Sequence, residues 1–307
     1  MPLDLPFAAD HRRTRFVPAI TPIWGASSET GVLTDVLLSE PTFLSMVPCN
    51  EITRECIASG LITDRAVARR QHREFASKLA ALGVRCHFVD PQWTMPDMAF
   101  TRDAVLVGPW GLIELRPAAA HRQAETKHVA GAIQALGLPF VDQVTDGTVE
   151  GGDVCLLRDG IVLIGRSGER TNELGALSLA AIFEARGWKV IHARFDPRHL
   201  HLDTLFTMVD DDCAVACIDE LESDLIETLR GLGITLIPVT VDEVTQLGAN
   251  LLSLGNRRVI AAKGGSRLPS VLEEQGFEVI QADIDQFTRC GGGPHCLTMP
   301  LARHPAG

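Results

Sequence analysis

The 307-residue chain has no apolar run near the roughly 18–20 residues that a membrane-spanning helix needs. Its opening, MPLDLPFAADHRRTRF, lacks the continuous apolar core of a secretory leader. No low-complexity tract and no block of like charge interrupts it. A basic surplus is also missing: 28 Lys and Arg face 39 Asp and Glu, a formal net charge of −11. That excludes a general nucleic-acid binder, which needs a basic face, and is compatible with a cationic substrate. The eight cysteines form no paired-spacing framework, so a reduced, cytoplasmic compartment is expected. Apolar residues at 46% and charged residues at 22% are an ordinary globular balance, enough for a substantial core. Length allows one large domain or two. The reading here is a single domain over residues 1–307, with about 1–25 as an N-terminal arm.

What the chain does contain is a repeat. Helix-like stretches over about Asp64–Leu82, Ala118–Leu136, Asn172–Arg186, Glu222–Leu232 and Leu268–Gln275 each end at a glycine followed by an apolar strand. Those glycines are Gly83, Gly137, Gly187, Gly233 and Gly276, at spacings of 54, 50, 46 and 43 residues. Glycine is the usual left-handed cap of a helix. Ahead of later helices stand paired apolar runs split by a turn: Ala104–Val107 and Leu112–Leu115, Val154–Leu157 and Ile161–Ile164, Leu251–Leu254 and Val259–Ala261. These predict hairpins. The unit is strand, turn, strand, helix, glycine, strand, too small to bury its own face, so five must pack together. A doubly wound α/β sheet is the alternative, although it supplies one strand per helix rather than two.

Polar residues gather where the first hairpin strand begins in several units: Thr101-Arg102-Asp103, Glu150-Gly151-Gly152-Asp153, His201-Leu202-Asp203 and Gly248-Ala249-Asn250. A cyclic arrangement would bring these equivalent positions together. Beyond the fifth unit, Gly291-Gly292-Gly293-Pro294-His295-Cys296 could swing a cysteine over them. Singly, each element has a plainer explanation as a solvated turn, an ion pair or a flexible tail. Cys155, Cys213 and Cys217, in apolar strands, fit the core role of a free cysteine. The set as a whole suits attack on a guanidinium carbon. Carboxylates at Asp103, Asp203 and Glu150 can take paired hydrogen bonds from a planar cation. A thiolate at Cys296 is the natural nucleophile, and His201 can protonate a departing amine and then activate water.

These motifs resemble those of the guanidino-modifying superfamily of arginine deiminases, dimethylarginine hydrolases and amidinotransferases, over about Ser28 to Arg303. The resemblance rests on Ser28-Glu29-Thr30-Gly31-Val32-Leu33, Phe100-Thr101-Arg102-Asp103, Arg122, Glu150-Gly151-Gly152-Asp153, Glu169-Arg170-Thr171-Asn172, His201-Leu202-Asp203 and Gly291–Thr298. It implies an α/β fold of the five-bladed propeller type (pentein), with five strand–strand–helix–strand repeats around a pseudo-fivefold axis. By the same resemblance Cys296, His201, Glu150 and Asp103 are catalytic. Asp203, Arg122, Arg170, Asp153 and Asn250 bind substrate, the two arginines holding a far carboxylate. No metal or organic cofactor is required. The partner is a small guanidine, neither nucleic acid nor membrane, and a homo-oligomer is compatible.

Substrate choice divides the superfamily. The chain is too short for the helical insertion usual in arginine deiminases. Its length and Arg170-Thr171-Asn172 resemble the dimethylarginine hydrolases, whereas Asp203 and Phe-Thr-Arg-Asp resemble the deiminases. A second carboxylate on the guanidinium favours unmethylated nitrogens, which keep more N–H donors. Arginine to citrulline and ammonia is therefore the leading expectation, with methylarginine hydrolysis, amidino transfer and arginine dihydrolysis as alternatives. Two other classes stay open: a metal-dependent hydrolase using His199, His201, Cys290, His295 and Cys296, and a non-catalytic guanidine-binding protein.

Overall fold

The computed structural model describes residues 24–264 and 266–305. The expected N-terminal arm lies, but for its last two residues, outside them. The first unit contributes β1 (Val32–Ser39), α1 (Glu51–Ala58), α2 (Arg65–Ala81) and β2 (Arg85–Val89). The second follows as β3 (Val105–Gly108), β4 (Gly111–Glu114), α3 (Gln123–Ala135) and β5 (Phe140–Gln143). The third is β6 (Val154–Arg158), β7 (Ile161–Arg166), α4 (Glu173–Glu184) and β8 (Lys189–Arg194). The fourth is β9 (Phe206–Asp210), β10 (Cys213–Ala216), α5 (Ser223–Gly231) and β11 (Thr235–Pro238). Then come α6 (Val241–Thr245), β12 (Leu252–Gly255), β13 (Arg258–Ala262), α7 (Leu268–Glu274), β14 (Glu278–Ala282), α8 (Asp285–Thr288) and β15 (Met299–His304).

The strands make five three-stranded sheets, one per unit, in a mixed α/β fold. In the later four units the hairpin strands pair antiparallel, with Leu106 opposite Ile113 and Val154 opposite Ile164. A helical crossover then lays the third strand parallel to the second, as Val259 beside Val279. A doubly wound sheet is thus excluded: the sheets are separate and each holds both pairings. All five expected cap glycines have the left-handed φ, between +77° and +95°. The helices bury one face, with Phe75 and Leu79 of α2, Leu179 and Phe183 of α4, and Leu229 of α5 almost fully covered. Burying side chains of that size contributes about 1.5–3 kcal/mol each.

The first unit is completed from the far end of the chain. β15 pairs antiparallel with β1, Val36 facing Pro300 and Leu37 facing Met299. The sequence of Met299–His304 carries no strand signal of its own. Proline lacks the amide a ladder needs, so Pro300 reads as a breaker. It is tolerated because β15 is an edge strand. Between sheets, β15 touches β3, β1 touches β12, β12 touches β9 and β9 touches β6. The single 3-10 turns Thr101–Asp103, Gly151–Asp153 and Leu202–Thr204 touch one another in succession. The strand heads of distant units therefore meet in space, which positions the site.

Candidate active site

Each of those turns aims a buried acid inward: Asp103, Asp153 and Asp203 are all almost fully covered. Close approach is why two glycines precede Asp153. A Cβ on Gly152 would lie 2.7 Å from Nδ1 of His201, inside any tolerable contact. Gly292, in the loop ahead of Cys296, meets the Phe100 ring in the same way. Both glycines let separate strand heads close on one point.

Asn250 fixes the Cys296 segment. Its Oδ1 accepts from the amides of His295 (3.2 Å) and Cys296 (3.3 Å), and its Nδ2 donates to Cys296 Sγ at 3.1 Å. The thiol also lies 3.3 Å from Asp203 Oδ2. Behind Asp203 runs a buried chain of charge. His295 Nδ1 is 2.8 Å from the same Asp203 oxygen, His295 Nε2 is 3.5 Å from Glu29, and Glu29 pairs with Arg102. His201 sits on the other side, its Nε2 2.7 Å from Glu150 Oε2 and its Nδ1 3.8 Å from Asp103. Glu150 is held in turn by the Ala118 amide at 2.9 Å and by Arg170 at 3.4 Å. Asp103 accepts from the Gly152 amide at 2.9 Å and from Arg122 at 2.5 Å.

Protonation follows from these neighbours. Burial, together with the charges of Asp203 and Asp103, holds the Cys296 thiol well above its usual range. Burial alone would lower His201, but Asp103, Asp153 and Glu150 outweigh it and push the imidazole up to about 10. Burial would raise Glu150, yet His201, Arg170 and Arg122 hold it well below the ordinary carboxylate range. Near neutral pH Cys296 is therefore a thiol, His201 an imidazolium, and Glu150 and Asp203 are carboxylates, charges set by a common pocket.

A cavity opens onto this group, lined by Cys49, Asn50, Asp97, Phe100, Asp103, Arg122, Arg170, Leu200, His201, Cys290, Gly291, Gly292 and Cys296. Cys296, His201, Asp103, Arg122 and Arg170 are thus brought to one space, as the sequence anticipated. Glu150, Asp203 and Asn250 stand behind that lining, each in contact with a residue that reaches it. Two expectations change. Asp153 does not line the cavity: its Oδ1 accepts from the Leu202 amide at 2.8 Å, fixing the turn that carries His201. Asn250 likewise grips Cys296 and its loop rather than open space. Arg122 spends donors on Asp103, Glu125 and the Phe100 carbonyl, which leaves about one of a guanidinium's five N–H groups free.

Sequence reasoning missed Asp97, Cys49 and Asn50 on the cavity wall and the bracing role of Glu29. Asn50 carried a signal, since Asn-x-x-Thr is a capping pattern, and it caps α1 by accepting from Thr53. The grouping of His199 with Cys290 as metal ligands does not occur. His199 Nε2 lies 3.1 Å from Glu220. Among the described residues the groups able to hold an ion are Cys49–Asp97–His121 and Asp103–Glu150–His201.

A family model described as N,N dimethylarginine dimethylhydrolase, eukaryotic, matches residues 46–303. The chain belongs to the dimethylarginine dimethylhydrolase family. Members of this family and its relatives are C–N hydrolases of guanidino compounds, and the chain is an enzyme of that type. It is 31% identical to an N(G),N(G)-dimethylarginine dimethylaminohydrolase of Streptomyces coelicolor over 252 residues, covering 80% of this chain and 93% of that one. An arginine deiminase of Mycobacterium marinum is also 31% identical, over 69% of this chain but 61% of its own length. In fold, the chain is similar to the dimethylarginine dimethylaminohydrolase of Pseudomonas aeruginosa in complex with citrulline. The TM-score is 0.73, at 24% identity, over 87% of this chain and 99% of that one. The N-terminal domain of ArgZ, a cyanobacterial arginine dihydrolase, matches with a TM-score of 0.77, at 22% identity, over 88% and 98%.

Proposed function

We propose that this family member hydrolyses Nω-methylated arginine to citrulline and a methylated amine, through a covalent adduct on Cys296. The observation that carries the reading is that one thiol, one imidazolium and the acid of Asp103 line a single cavity, with Glu150 and Asp203 in contact with them from behind. The guanidinium enters between Asp103, Asp203 and Cys296. Its positive charge offsets the acids that hold the thiol protonated, so binding itself favours the thiolate. The thiol proton passes to solvent, and the Cys296 thiolate then bonds to the guanidinium carbon. His201 gives its proton to the departing nitrogen, the C–N bond breaks, and a thiouronium is left. His201, now neutral and held by Glu150, takes a proton from water. That water attacks the same carbon, the C–S bond breaks, and the ureido product leaves.

Arg170 and the remaining N–H of Arg122 face the far carboxylate and set the substrate's length. Asp153, Asn250 and the Glu29–His295 pair hold the reacting groups in place. The five sheets are read as blades closed around one axis by β15, and the chain as one catalytic unit. Family membership and the Phe100 and Leu200 walls favour methyl groups on the guanidinium. Asp203 weighs less toward unmethylated nitrogens than its sequence position suggests, because Oδ2 is already committed to His295 and Cys296. The second reading, arginine itself, is favoured by Asp203 Oδ1, which is buried without a partner among the described residues and can accept an N–H. Incubation with dimethylarginine, monomethylarginine, arginine, agmatine and guanidinobutyrate separates them. Dimethylamine or methylamine alongside citrulline supports the first reading. Ammonia from arginine with methylarginines untouched supports the second, and ornithine formation rejects both.

A further inference from the structure

A second group of donors sits at the cavity mouth, apart from the reacting residues. Cys49, Asp97 and His121 each present one ligand atom, and the three atoms lie within 4.8 Å of one another. They come from three segments: the loop before α1, the loop after β2, and the 3-10 turn Ala120–Arg122. His121 Nε2 already lies 2.7 Å from Asp97 Oδ2. The backbone holds Cys49 and Asp97 in place. The Cys49 amide donates to the Val47 carbonyl and the Cys49 carbonyl accepts from Arg170, both at 2.7 Å. The Asp97 carbonyl accepts from the Phe100 amide at 2.9 Å. The neighbouring Arg122 is neutralised by Asp103 and Glu125. Cys49 and Asp97 also line the passage to Cys296.

We propose that Cys49, Asp97 and His121 bind a zinc-class divalent ion that narrows the mouth and slows entry of the guanidine. One sulfur, one imidazole nitrogen and one carboxylate oxygen are zinc's donor set, with water as the fourth ligand. Calcium and magnesium prefer all-oxygen shells and are disfavoured by the thiolate. Bond lengths of about 2.0–2.3 Å put tetrahedral ligands roughly 3.3–3.8 Å apart. Cys49 therefore needs to draw in by at most about an ångström, whereas Asp97 and His121, now 2.7 Å apart, open by roughly half an ångström. The ion also replaces the Asp97–His121 hydrogen bond. The other candidate group, Asp103–Glu150–His201, lacks sulfur, and its acids are already tied to Arg122 and Arg170.

Titration of the full chain with zinc chloride, followed by calorimetry, tests this. So does cobalt chloride, read by its thiolate-to-cobalt charge-transfer absorption. Cys296→Ser should keep both the affinity and the absorption. Cys49→Ser should lose the absorption, and both it and His121→Ala should bind zinc about tenfold or more weaker. Thermal unfolding of each variant checks that it is folded. Unchanged zinc affinity in folded Cys49→Ser and His121→Ala overturns the proposal, as does loss of the cobalt band in Cys296→Ser, which would place the ion on the nucleophile. Zinc inhibition of whichever guanidine is turned over should be relieved in His121→Ala. The titrations need no turnover, so they stand apart from the substrate assignment.

Discussion

Replacing Gly152 by alanine adds a single methyl group where the geometry leaves none. The new Cβ would sit 2.7 Å from His201 Nδ1, 2.8 Å from Cγ and 2.9 Å from Cβ. Ordinary carbon contacts begin near 3.4 Å, so the ring must retreat by about 0.7 Å. It cannot do so freely, because Glu150 holds Nε2 at 2.7 Å from the opposite side. A misplacement of about 1 Å costs roughly 100-fold in rate, so kcat should fall roughly 10- to 100-fold. Overpacking should cost only about 1–3 kcal/mol of stability, and the backbone at Gly152 has no left-handed φ to add strain. Gly131→Ala is the control. Gly131 lies within α3 with nothing within 4 Å of the added carbon, and alanine there should gain about 0.5–1 kcal/mol with full activity. Citrulline formation and thermal unfolding, measured on both variants, read the two effects separately. A folded Gly152→Ala enzyme within threefold of the parent kcat would refute the placement of His201.

Asn250→Ala removes the amide that holds the Cys296 backbone and thiol, and kcat should drop at least about tenfold with KM little changed; the reverse pattern would make Asn250 a substrate ligand. Glu29→Ala strands Arg102 in the interior without its partner, so denaturant unfolding should register a loss of about 3–5 kcal/mol, and a near-neutral result would deny the pair its structural role. The folded His201 pKa, raised to about 10, sits above the unfolded value near 6.5. Its contribution to stability is therefore full below pH 6.5 and fades as pH rises through 10. Glu150→Gln should flatten that alkaline decline in a pH series of unfolding midpoints.

Much of the fold was legible because its signals are local. A left-handed glycine after a helix and a turn between two apolar runs are decided by neighbouring residues, so Gly83 through Gly276 mark the units without knowledge of their packing. β15 was not legible, because its only reason to be a strand is β1, more than 250 residues earlier in the chain. The site divides in the same way. Cys296, His201, Glu150 and Asp103 stand in recognisable motifs. Glu29 is a surface-type residue by composition, and only contact with Arg102 and His295 gives it a buried task. Asp153 and Asn250 stand at the expected strand heads, but their contacts with the Leu202 amide and the Cys296 thiol come from other units and are not readable from their own segments. Sequence fixes the turn on which a side chain stands, whereas its partner is chosen by another unit. Glu125 was the exception, since its position three residues after Arg122 on a helix could have been read as a local ion pair.

The bond between Cys296 and the guanidinium carbon is open to intact-mass analysis of an acid-quenched reaction in a slowed variant, His201→Gly, with peptide mapping to locate the modification. An adduct on Cys296 equal to the substrate less its departing amine should appear, and should be absent from Cys296→Ser, which should have no measurable turnover. No adduct in the slowed variant, together with a fully active Cys296→Ser enzyme, would contradict it.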